Sequence, residues 1–449
     1  MKLLLNPDTP IPTAAKRLCG KPKWSVWNDI TAIDDRRMVI FNTMRRTAVL
    51  LFSGEYNTDP GHLPPATAET LTRLGMVVDA SLNERAEAEQ RFAEGKHDMS
   101  YIDLTVLLTH DCQLRCTYCF EGEKSRKYIS DGTASEILRF LESMKQVCRR
   151  LRVTWFGGEP LMAYAQLRRL SRTLTDFCNS NGIEYRGDMT TNGYALSLQR
   201  CKELVGELAV RRYIITIDGP ASVHDHRRPL VGGQPTFARI MKNVDHLASC
   251  GAQITLRMTI DHENASAIPQ LLNEIADAPF AGQVQLSFCR TIDYNFTPDT
   301  AKAKMFSREE WAEVEWNLMQ YAHRLGLWQY GFPHAAPSGG CLRNGDIVVD
   351  ADGQIYKCLD TVGDSRWLCG HISSPGSPVP EWMERWMAWS PADNAKCSCC
   401  TLQPLCNGGC PHNALFEDKR HGSDDQCPDW KDNYKRQIIA LVSEIDENY

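Results

Sequence analysis

Three cysteines, Cys112, Cys116 and Cys119, follow an apolar run at residues 102–108, and they are separated by three and then two residues. Thiolates are the ligands that iron–sulfur clusters select. Three of them on one short loop can hold three irons of a four-iron cluster and leave the fourth iron open for chemistry. A cysteine triplet can also be part of a zinc site, so the spacing alone leaves both groups possible.

A second set of cysteines lies in the last quarter of the chain. The chain has 18 cysteines, and their bunching indicates metal or redox sites rather than a disulfide framework. Two cysteines flank an apparent hairpin, and the others follow at spacings of two, five and three residues before a final, distant one. They are Cys341, Cys358, Cys397, Cys400, Cys406, Cys410 and Cys427.

Three short polar motifs each close a strand-like run between these two cysteine groups. They begin at Gly157, Thr190 and Ile217 and read Gly-Gly-Glu-Pro, Thr-Thr-Asn-Gly and Ile-Asp-Gly-Pro. Glycines and acidic side chains at strand ends are typical of ligand-binding turns.

Six strand-like runs alternate with helical patterns between residue 101 and about residue 290, which predicts βα units and a parallel sheet. Right-handed crossovers bring the C-terminal ends of such strands to one rim, where active sites of these barrels lie. The cysteine triplet and the polar motifs all stand at such ends. The runs are 102–108, 151–156, 185–190, 213–217, 254–260 and 284–288.

With these motifs, the sequence resembles the radical S-adenosylmethionine (SAM) superfamily, whose signature is the same cysteine loop with an aromatic residue, here Tyr118, before its last cysteine. The resemblance implies an α/β fold with a partial (β/α)6 TIM-like barrel. It implies that Cys112, Cys116 and Cys119 bind a 4Fe-4S cluster whose open iron binds S-adenosyl-L-methionine, with Tyr118 against the adenine.

The same resemblance assigns roles to the polar motifs. Gly157 and Gly158 would let the backbone approach the methionine part of SAM, and Glu159 would accept from its ammonium group. Thr190 and Asn192 occupy the position next to the ribose.

Two charged residues remain open to two interpretations. Arg257 resembles the arginine that pairs with the SAM carboxylate, although an exposed arginine would look the same in sequence. Asp218 could be a catalytic proton acceptor or the N-cap of the following helix.

The C-terminal cysteines resemble the SPASM domain. That resemblance implies two auxiliary 4Fe-4S clusters, and so three clusters in the chain. Cys397, Cys400, Cys406 and Cys427 would bind one, and Cys341, Cys358 and Cys410 the other, which then lacks a fourth ligand. Cys369 is a candidate for it, and a core position is an equal alternative. Zinc is the alternative for this whole region.

The chain divides by its patterns into three predicted domains, 1–98, 99–325 and 326–449. Residues 24–27, 37–41 and 48–52 are predicted as strands, the first two around a turn at Asp34, and 66–74 as a helix. This α+β domain is either a packing extension or an element resembling the winged-helix leader-binding domain of peptide maturases, which captures a peptide as an added strand.

Charge and hydropathy limit the partners. The formal net charge is −6, from 50 basic and 56 acidic residues, so neither nucleic acid nor a membrane surface is an expected partner. A short apolar start and the lack of a spanning run predict a cytoplasmic protein.

The resemblance implies an enzyme, a peptide-modifying oxidoreductase that cleaves SAM to a 5′-deoxyadenosyl radical and removes hydrogen from carbon. The first hypothesis is a maturase that forms a thioether or carbon–carbon cross-link in a ribosomally made precursor peptide with a leader sequence. A low-potential donor such as flavodoxin or ferredoxin would supply electrons. The alternatives are an anaerobic sulfatase maturase, which makes formylglycine, and a zinc-stabilised peptide-binding protein without enzyme activity.

Overall fold

The structure is a computed structural model that describes residues 1–4, 18, 20–294, 296–333, 341–374, 379–416 and 426–447. Its elements fall into an N-terminal α+β unit, a central run of alternating strands and helices, and a C-terminal region of short helices. No helix among these residues is both long and apolar enough to cross a membrane.

The N-terminal unit contains two small antiparallel sheets and two helices. Its elements are β1 (Lys2–Leu3), β2 (Pro22–Trp24), β3 (Asn28–Asp34), β4 (Arg37–Asn42), β5 (Thr47–Phe52), α1 (Pro65–Arg73), β6 (Val77–Asp79) and α2 (Glu84–His97). One sheet has the order β1-β5-β4-β3, and the other pairs β2 with β6. The strand before the turn at Asp34 is therefore β3, and the prediction of a strand at 24–27 was wrong beyond Trp24.

The central unit supplies six consecutive parallel strands. Its elements are β7 (Tyr101–Leu107), α3 (Asp131–Met144), β8 (Arg150–Phe156), α4 (Tyr164–Asn181), β9 (Glu184–Thr191), α5 (Leu198–Gly206), β10 (Val210–Thr216), α6 (Ala221–Arg227), α7 (Phe237–Ser249), β11 (Gln253–Ile260), α8 (Ile268–Ala276), β12 (Val284–Arg290), α9 (Asp299–Lys302) and α10 (Arg308–Arg324). Each strand pairs in parallel with the next, so the predicted α/β partial barrel is confirmed.

The C-terminal region extends the same sheet. Its elements are β13 (Asp346–Val349), β14 (Gln354–Tyr356), β15 (Gly370–His371), α11 (Glu381–Ala388), α12 (Ala395–Ser398), α13 (Gln403–Cys406), α14 (Pro411–Leu415) and α15 (Trp430–Glu447). Strand β13 pairs in parallel with β7, so the hairpin β13–β14 is an extension of the barrel sheet.

Side chains alternate along the barrel strands between a helix-covered face and a lumen. On β11, Leu256 and Met258 are fully buried against the helices, whereas Thr255 and Arg257 face the other way. A lumen cavity of about 590 Å³ lies beside the first halves of β8 to β12. Polar residues line much of it, among them Arg152, Asp188, Arg212, Thr255 and Gln285.

The N-terminal sheet packs against the C-terminal region. Val39 and Phe41 of β4 form one buried apolar cluster with Leu402, Leu405 and residues of α15. The hydroxyl of Thr43 also donates to the carbonyl of Thr401. Burial of this apolar surface holds the first 98 residues onto the cysteine-rich region rather than onto the barrel alone.

Candidate functional site

The cysteine loop, whose Cys112, Cys116 and Cys119 are called the loop triplet below, follows β7 at the C-terminal rim of the barrel. Leu114 forms a β-bridge with Leu230, and the N–H of Thr117 donates to the carbonyl of Arg227 at 3.0 Å. The segment after α6 therefore lies along the loop and holds its backbone.

Two of these thiols are held in their protonated form by burial. Burial raises the pKa of Cys112 to about 12 and that of Cys116 to about 11. A metal centre that binds them must displace those protons, as thiolate ligation requires.

The spacing of the sulfurs distinguishes between the two kinds of metal site. Among the described residues, no three cysteine sulfurs all lie within 4.8 Å of one another. A single zinc ion with zinc–sulfur bonds of about 2.3 Å requires sulfurs about 3.8 Å apart. In this arrangement the sulfurs of each cysteine group are thus further apart than the ligands of one zinc ion.

Gly157 and Gly158 pack against the backbone just before the first cysteine of the loop. A Cβ on Gly157, which has φ +138°, would lie 2.4 Å from the carbonyl oxygen of Thr109, and one on Gly158 would lie 2.3 Å from that of Asp111. The N–H groups of Gly158 and Glu159 donate to those same two carbonyls, each at 2.9 Å. The close backbone approach that requires glycine is therefore to the cysteine loop itself.

The carboxylate of Glu159 is fully buried and accepts three hydrogen bonds. The Thr191 hydroxyl donates at 2.7 Å, the Asn192 N–H at 2.8 Å and the Leu161 N–H at 3.0 Å. Burial raises the pKa of Glu159 to about 7. These bonds tie the ends of β8 and β9 together, and the contact predicted with the SAM ammonium stays a prediction.

Asn192 reaches the loop triplet, whereas Thr190 does not. The Asn192 amide lies 3.7 Å from the Cys112 sulfur, and its oxygen accepts from Gln113 at 3.3 Å. Thr190 lines the lumen cavity near Asp188. The structure therefore places only Asn192 beside the predicted cluster.

Tyr118 belongs to a buried polar network that the sequence did not predict. Its hydroxyl donates to Asp218 and accepts from Arg228 at 2.6 Å, and the Arg227 guanidinium lies 5.0 Å from the centre of its ring. This network fixes the position of the Tyr118 ring, which immediately precedes Cys119.

Asp218 holds Tyr118 rather than capping a helix. It is fully buried, and its second oxygen accepts from the N–H of Thr259 at 3.0 Å. Helix α6 has Pro220 at its N-cap and no side-chain cap, so the N-cap interpretation was wrong. The role of Asp218 as a proton acceptor stays a prediction.

Arg257 faces the lumen at the last half of β11. Its Nε donates to the Cys289 sulfur at 3.3 Å, and its high pKa is maintained chiefly by Cys289, with Tyr294 and Asp360 adding to the effect. Its hydrogen-bond and charge partners in the described chain do not include the loop triplet.

Cys397, Cys400, Cys406 and Cys427, called the C-terminal quartet below, lie close together, in the grouping that the SPASM resemblance implies. Each of the other three thiols acts electrostatically on Cys397, whose pKa burial raises to about 11. Two side chains donate to the sulfurs: the Gln426 amide lies 3.1 Å from Cys397, and the Lys431 amine lies 3.5 Å from both Cys400 and Cys427.

Cys341, Cys358 and Cys410, the C-terminal trio, lie between the barrel and the quartet. Cys410 acts electrostatically on Cys341, and the Cys358 sulfur lies 3.8 Å from the Asp360 carboxylate. The fourth candidate, Cys369, packs beside Lys357, and burial raises its pKa to about 11.

One backbone contact links the trio to the quartet. The N–H of Cys410 donates to the carbonyl of Gln426 at 2.9 Å. A Cβ on Gly409, which has φ +75°, would lie 1.9 Å from that oxygen. Only glycine fits there, so Gly409 fixes the separation of the two cysteine groups.

Sequence reasoning missed Arg228 and Lys431. Arg228 is the second of two consecutive arginines, and nothing in its sequence context marks it as the one beside Cys116. Lys431 stands four residues after Cys427 at the start of α15, and helical spacing could have identified it.

Comparison with known proteins agrees with this geometry. Residues 106–275 match the family model described as the radical SAM superfamily. A serine-type anaerobic sulfatase-maturating enzyme of Klebsiella aerogenes is 21% identical over 323 residues, which cover 67% of this chain and 77% of the relative.

Two solved structures share the fold. Native anSMEcpe with bound AdoMet has a TM-score of 0.57 at 17% identity and covers 77% of this chain and 99% of its own. Streptococcus suis SuiB bound to precursor peptide SuiA has a TM-score of 0.52 at 12% identity and covers 90% of this chain and 99% of its own. A barrel rim with a cysteine triplet and the match over residues 106–275 together show a radical SAM domain in this chain, and over a wider range the chain is similar to sulfatase-maturating enzymes and to SuiB.

Proposed function

We propose that the protein is a radical SAM/SPASM maturase that modifies a ribosomally synthesised precursor peptide by forming a thioether or carbon–carbon cross-link. The observation that carries this proposal is the N-terminal unit. The SuiB structure matches 90% of the chain, whereas anSMEcpe matches 77%. SuiB is bound to a precursor peptide in that structure, which supports a peptide substrate for this chain.

The loop triplet would hold a 4Fe-4S cluster with SAM on its open iron. When bound, that pair supplies a 5′-deoxyadenosyl radical, which removes hydrogen from substrate carbon. The chain's own residues position the loop: Gly157 and Gly158 by backbone contact, and Tyr118 through Asp218 and Arg228.

Arg228 is the better candidate for the SAM carboxylate than Arg257. It is 7% exposed, its charge acts on Cys116, and one nitrogen of its guanidinium has no hydrogen-bond partner among the described residues. A buried cation beside Cys116 suits a carboxylate, because ionic hydrogen bonds are strong in buried surroundings. Arg257 instead faces the lumen near Asp360, where a substrate side chain could reach it.

The C-terminal quartet and the C-terminal trio would each hold an auxiliary 4Fe-4S cluster. The quartet supplies four thiols, and the trio leaves one iron for Cys369, for the substrate or for no ligand. Residues 1–98, 99–325 and 326–449 would then be the peptide-recognition, SAM-cleaving and auxiliary-cluster domains. A low-potential donor such as flavodoxin or ferredoxin would supply electrons.

Strand β3 offers a place for the peptide. It is the last strand of its sheet, and Ile30 on it is 42% exposed. An edge strand has backbone groups free to pair with an extended peptide. The Lys435 amine donates to the Ile30 carbonyl at 3.2 Å, so this edge also contacts α15 near the quartet.

A sulfatase-type maturase is the second candidate, because the Klebsiella relative is named as one and spans 67% of the chain. It would oxidise one serine or cysteine to formylglycine and would not need the N-terminal unit to bind a leader.

The test uses the full-length, anaerobically reconstituted protein and two peptides. One is a precursor peptide encoded beside the gene, and the other is a synthetic peptide with a sulfatase-type target cysteine. Mass spectrometry should show loss of two hydrogen atoms from the precursor and no formylglycine in the second peptide. Formylglycine formation with an unchanged precursor would overturn the proposal and favour the second candidate.

Point variants test the N-terminal unit better than its deletion, since deletion would expose Leu402 and Leu405 beside the quartet. Ile30→Glu should abolish modification of the precursor and keep 5′-deoxyadenosine formation. Phe52→Glu is the control, because Phe52 is also 42% exposed and lies on the same sheet. Equal modification by the two variants would contradict a peptide site at β3.

A further inference from the structure

Side-chain nitrogens lie within hydrogen-bond distance of three of the four sulfurs of the C-terminal quartet. The Lys431 amine lies 3.5 Å from the sulfurs of Cys400 and Cys427. The Gln426 amide lies 3.1 Å from Cys397 and is itself held by the carbonyl of Gly408 at 2.9 Å. Both donors lie between residues 426 and 431, in the segment that leads into α15.

The charge of Lys431 is not neutralised by a carboxylate. Its electrostatic partners among the described residues are the cysteines, and no ion pair joins it to an acid in that part of the chain. At the loop triplet, by contrast, Lys124 acts on Cys119 but is paired with Glu121 at 2.6 Å. Lys431 therefore differs from Lys124 in carrying a charge with no carboxylate partner among the described residues.

The C-terminal trio meets charges of both signs. The Asp360 carboxylate lies 3.8 Å from the Cys358 sulfur. The Lys357 charge acts on Cys341, although its amine donates to the carbonyls of Arg343 and Asp346.

The charge and the hydrogen bonds at the cysteine sulfurs affect the reduction of a bound cluster. A cluster gains one negative charge when it accepts an electron, and hydrogen bonds or positive charge at its sulfurs stabilise that reduced form. Partial burial strengthens the effect, since Lys431 is only partly exposed.

We propose that Lys431, assisted by Gln426, raises the reduction potential of the quartet cluster. The inference rests on the proposed function, because it requires a cluster at the quartet. Lys431 acts through the ligand sulfurs and is a positioning residue.

The test is a redox titration of the full-length protein with dithionite as the reductant, followed by electron paramagnetic resonance. Cys112, Cys116 and Cys119 are replaced by alanine in every sample, so that only auxiliary clusters contribute. Lys431→Met removes the charge at nearly constant length. At the potential where half of the unmodified quartet cluster is reduced, the variant should show an about tenfold lower ratio of reduced to oxidised cluster. This change corresponds to a midpoint potential about 59 mV lower for one electron.

Three further variants define the cause. Lys435→Met is the matched control, because Lys435 lies one turn further along α15 and contacts the Ile30 carbonyl instead of a sulfur. It should change the ratio less than twofold. Lys431→Arg should keep the midpoint potential of the quartet cluster close to that of the unmodified sample. Lys431→Gln, which keeps N–H donors without charge, should have a midpoint potential between those of Lys431→Arg and Lys431→Met.

The outcomes separate the inference from the proposed function. Cys406→Ala must remove one signal, which assigns it to the quartet. If no signal depends on Cys406, the proposed auxiliary cluster is wrong and the inference fails with it. If the signal is present and Lys431→Met shifts it no more than Lys435→Met does, only the inference is overturned.

Discussion

The loop triplet and the C-terminal quartet hold their cysteines in different ways. The loop is supported by backbone contacts from β8, by the segment after α6, and by a buried network of Tyr118, Asp218 and Arg228. The quartet is built from short helical turns, and its donors come from its own sequence neighbourhood.

The proposed clusters would differ accordingly. Three thiols at a barrel rim would leave one iron of a bound cluster for SAM, whereas the four thiols of the quartet would bind all four irons of theirs. The quartet also depends on the N-terminal sheet, since Leu402 and Leu405 within it pack on that sheet. We therefore expect changes at one site to spare the other.

Loss of a quartet ligand should have the largest local effect. Cys406→Ala should deplete the quartet's iron, because it removes one of the four thiolates that the proposed cluster would bind. Iron and sulfide analysis measures the loss, and 5′-deoxyadenosine formation should continue. If SAM cleavage stops as well, the two sites are not separate.

A methyl group at Gly158 should disrupt the loop triplet. Its Cβ would lie 2.3 Å from a backbone oxygen of Asp111, so the loop must shift. We expect at least a tenfold loss of SAM cleavage and about 1–3 kcal/mol of destabilisation. Gly206→Ala is the control, because nothing lies within 4 Å of the new methyl group. Similar losses in both variants would contradict the contact argument.

The two arginines should differ in their effect on SAM binding. Arg228→Met should weaken binding about 10- to 100-fold, the size expected for a lost ionic hydrogen bond of about 1.5–3 kcal/mol. Arg257→Met should change it less than threefold. Equilibrium dialysis with samples of equal iron content measures both. A larger effect at Arg257 would restore the assignment made from sequence.

The smallest expected effect is a change in thermal stability, at the contact between α10 and α15. Glu315 accepts from the Asn433 amide at 2.8 Å, and burial raises its pKa to about 7. Its stabilising contribution is fully present below pH 4.5 and is lost as the pH rises through about 7, because the folded state must then bury a charge. Glu315→Gln does not ionise, so its Tm should exceed that of the natural protein by a few degrees at pH 8 and not at pH 5. An equal gap at both pH values would show that ionisation is not the cause.

The barrel was predictable from sequence because its signals are local. Alternating and apolar runs gave all six strands, and a capping box at Ser307 and Glu310 starts α10 where the helical pattern begins. The resemblance to the SPASM domain likewise grouped the quartet, three of whose cysteines lie on neighbouring short turns.

The contacts that could not be predicted join distant segments. Asp218 has the same sequence context whether it caps a helix or holds Tyr118, one hundred residues earlier. The pairing of β13 with β7 and the packing of β4 on Leu405 depend on how whole units dock.

The central claim is that the loop triplet generates the radical. The most direct measurement is 5′-deoxyadenosine formation from SAM by anaerobically reconstituted protein with dithionite, comparing Cys116→Ala with Cys148→Ala. Both variants remove one sulfur, but Cys148 packs in the barrel core, away from the rim. We predict that Cys116→Ala forms none above background and that Cys148→Ala retains activity. Continued formation by Cys116→Ala would contradict the account.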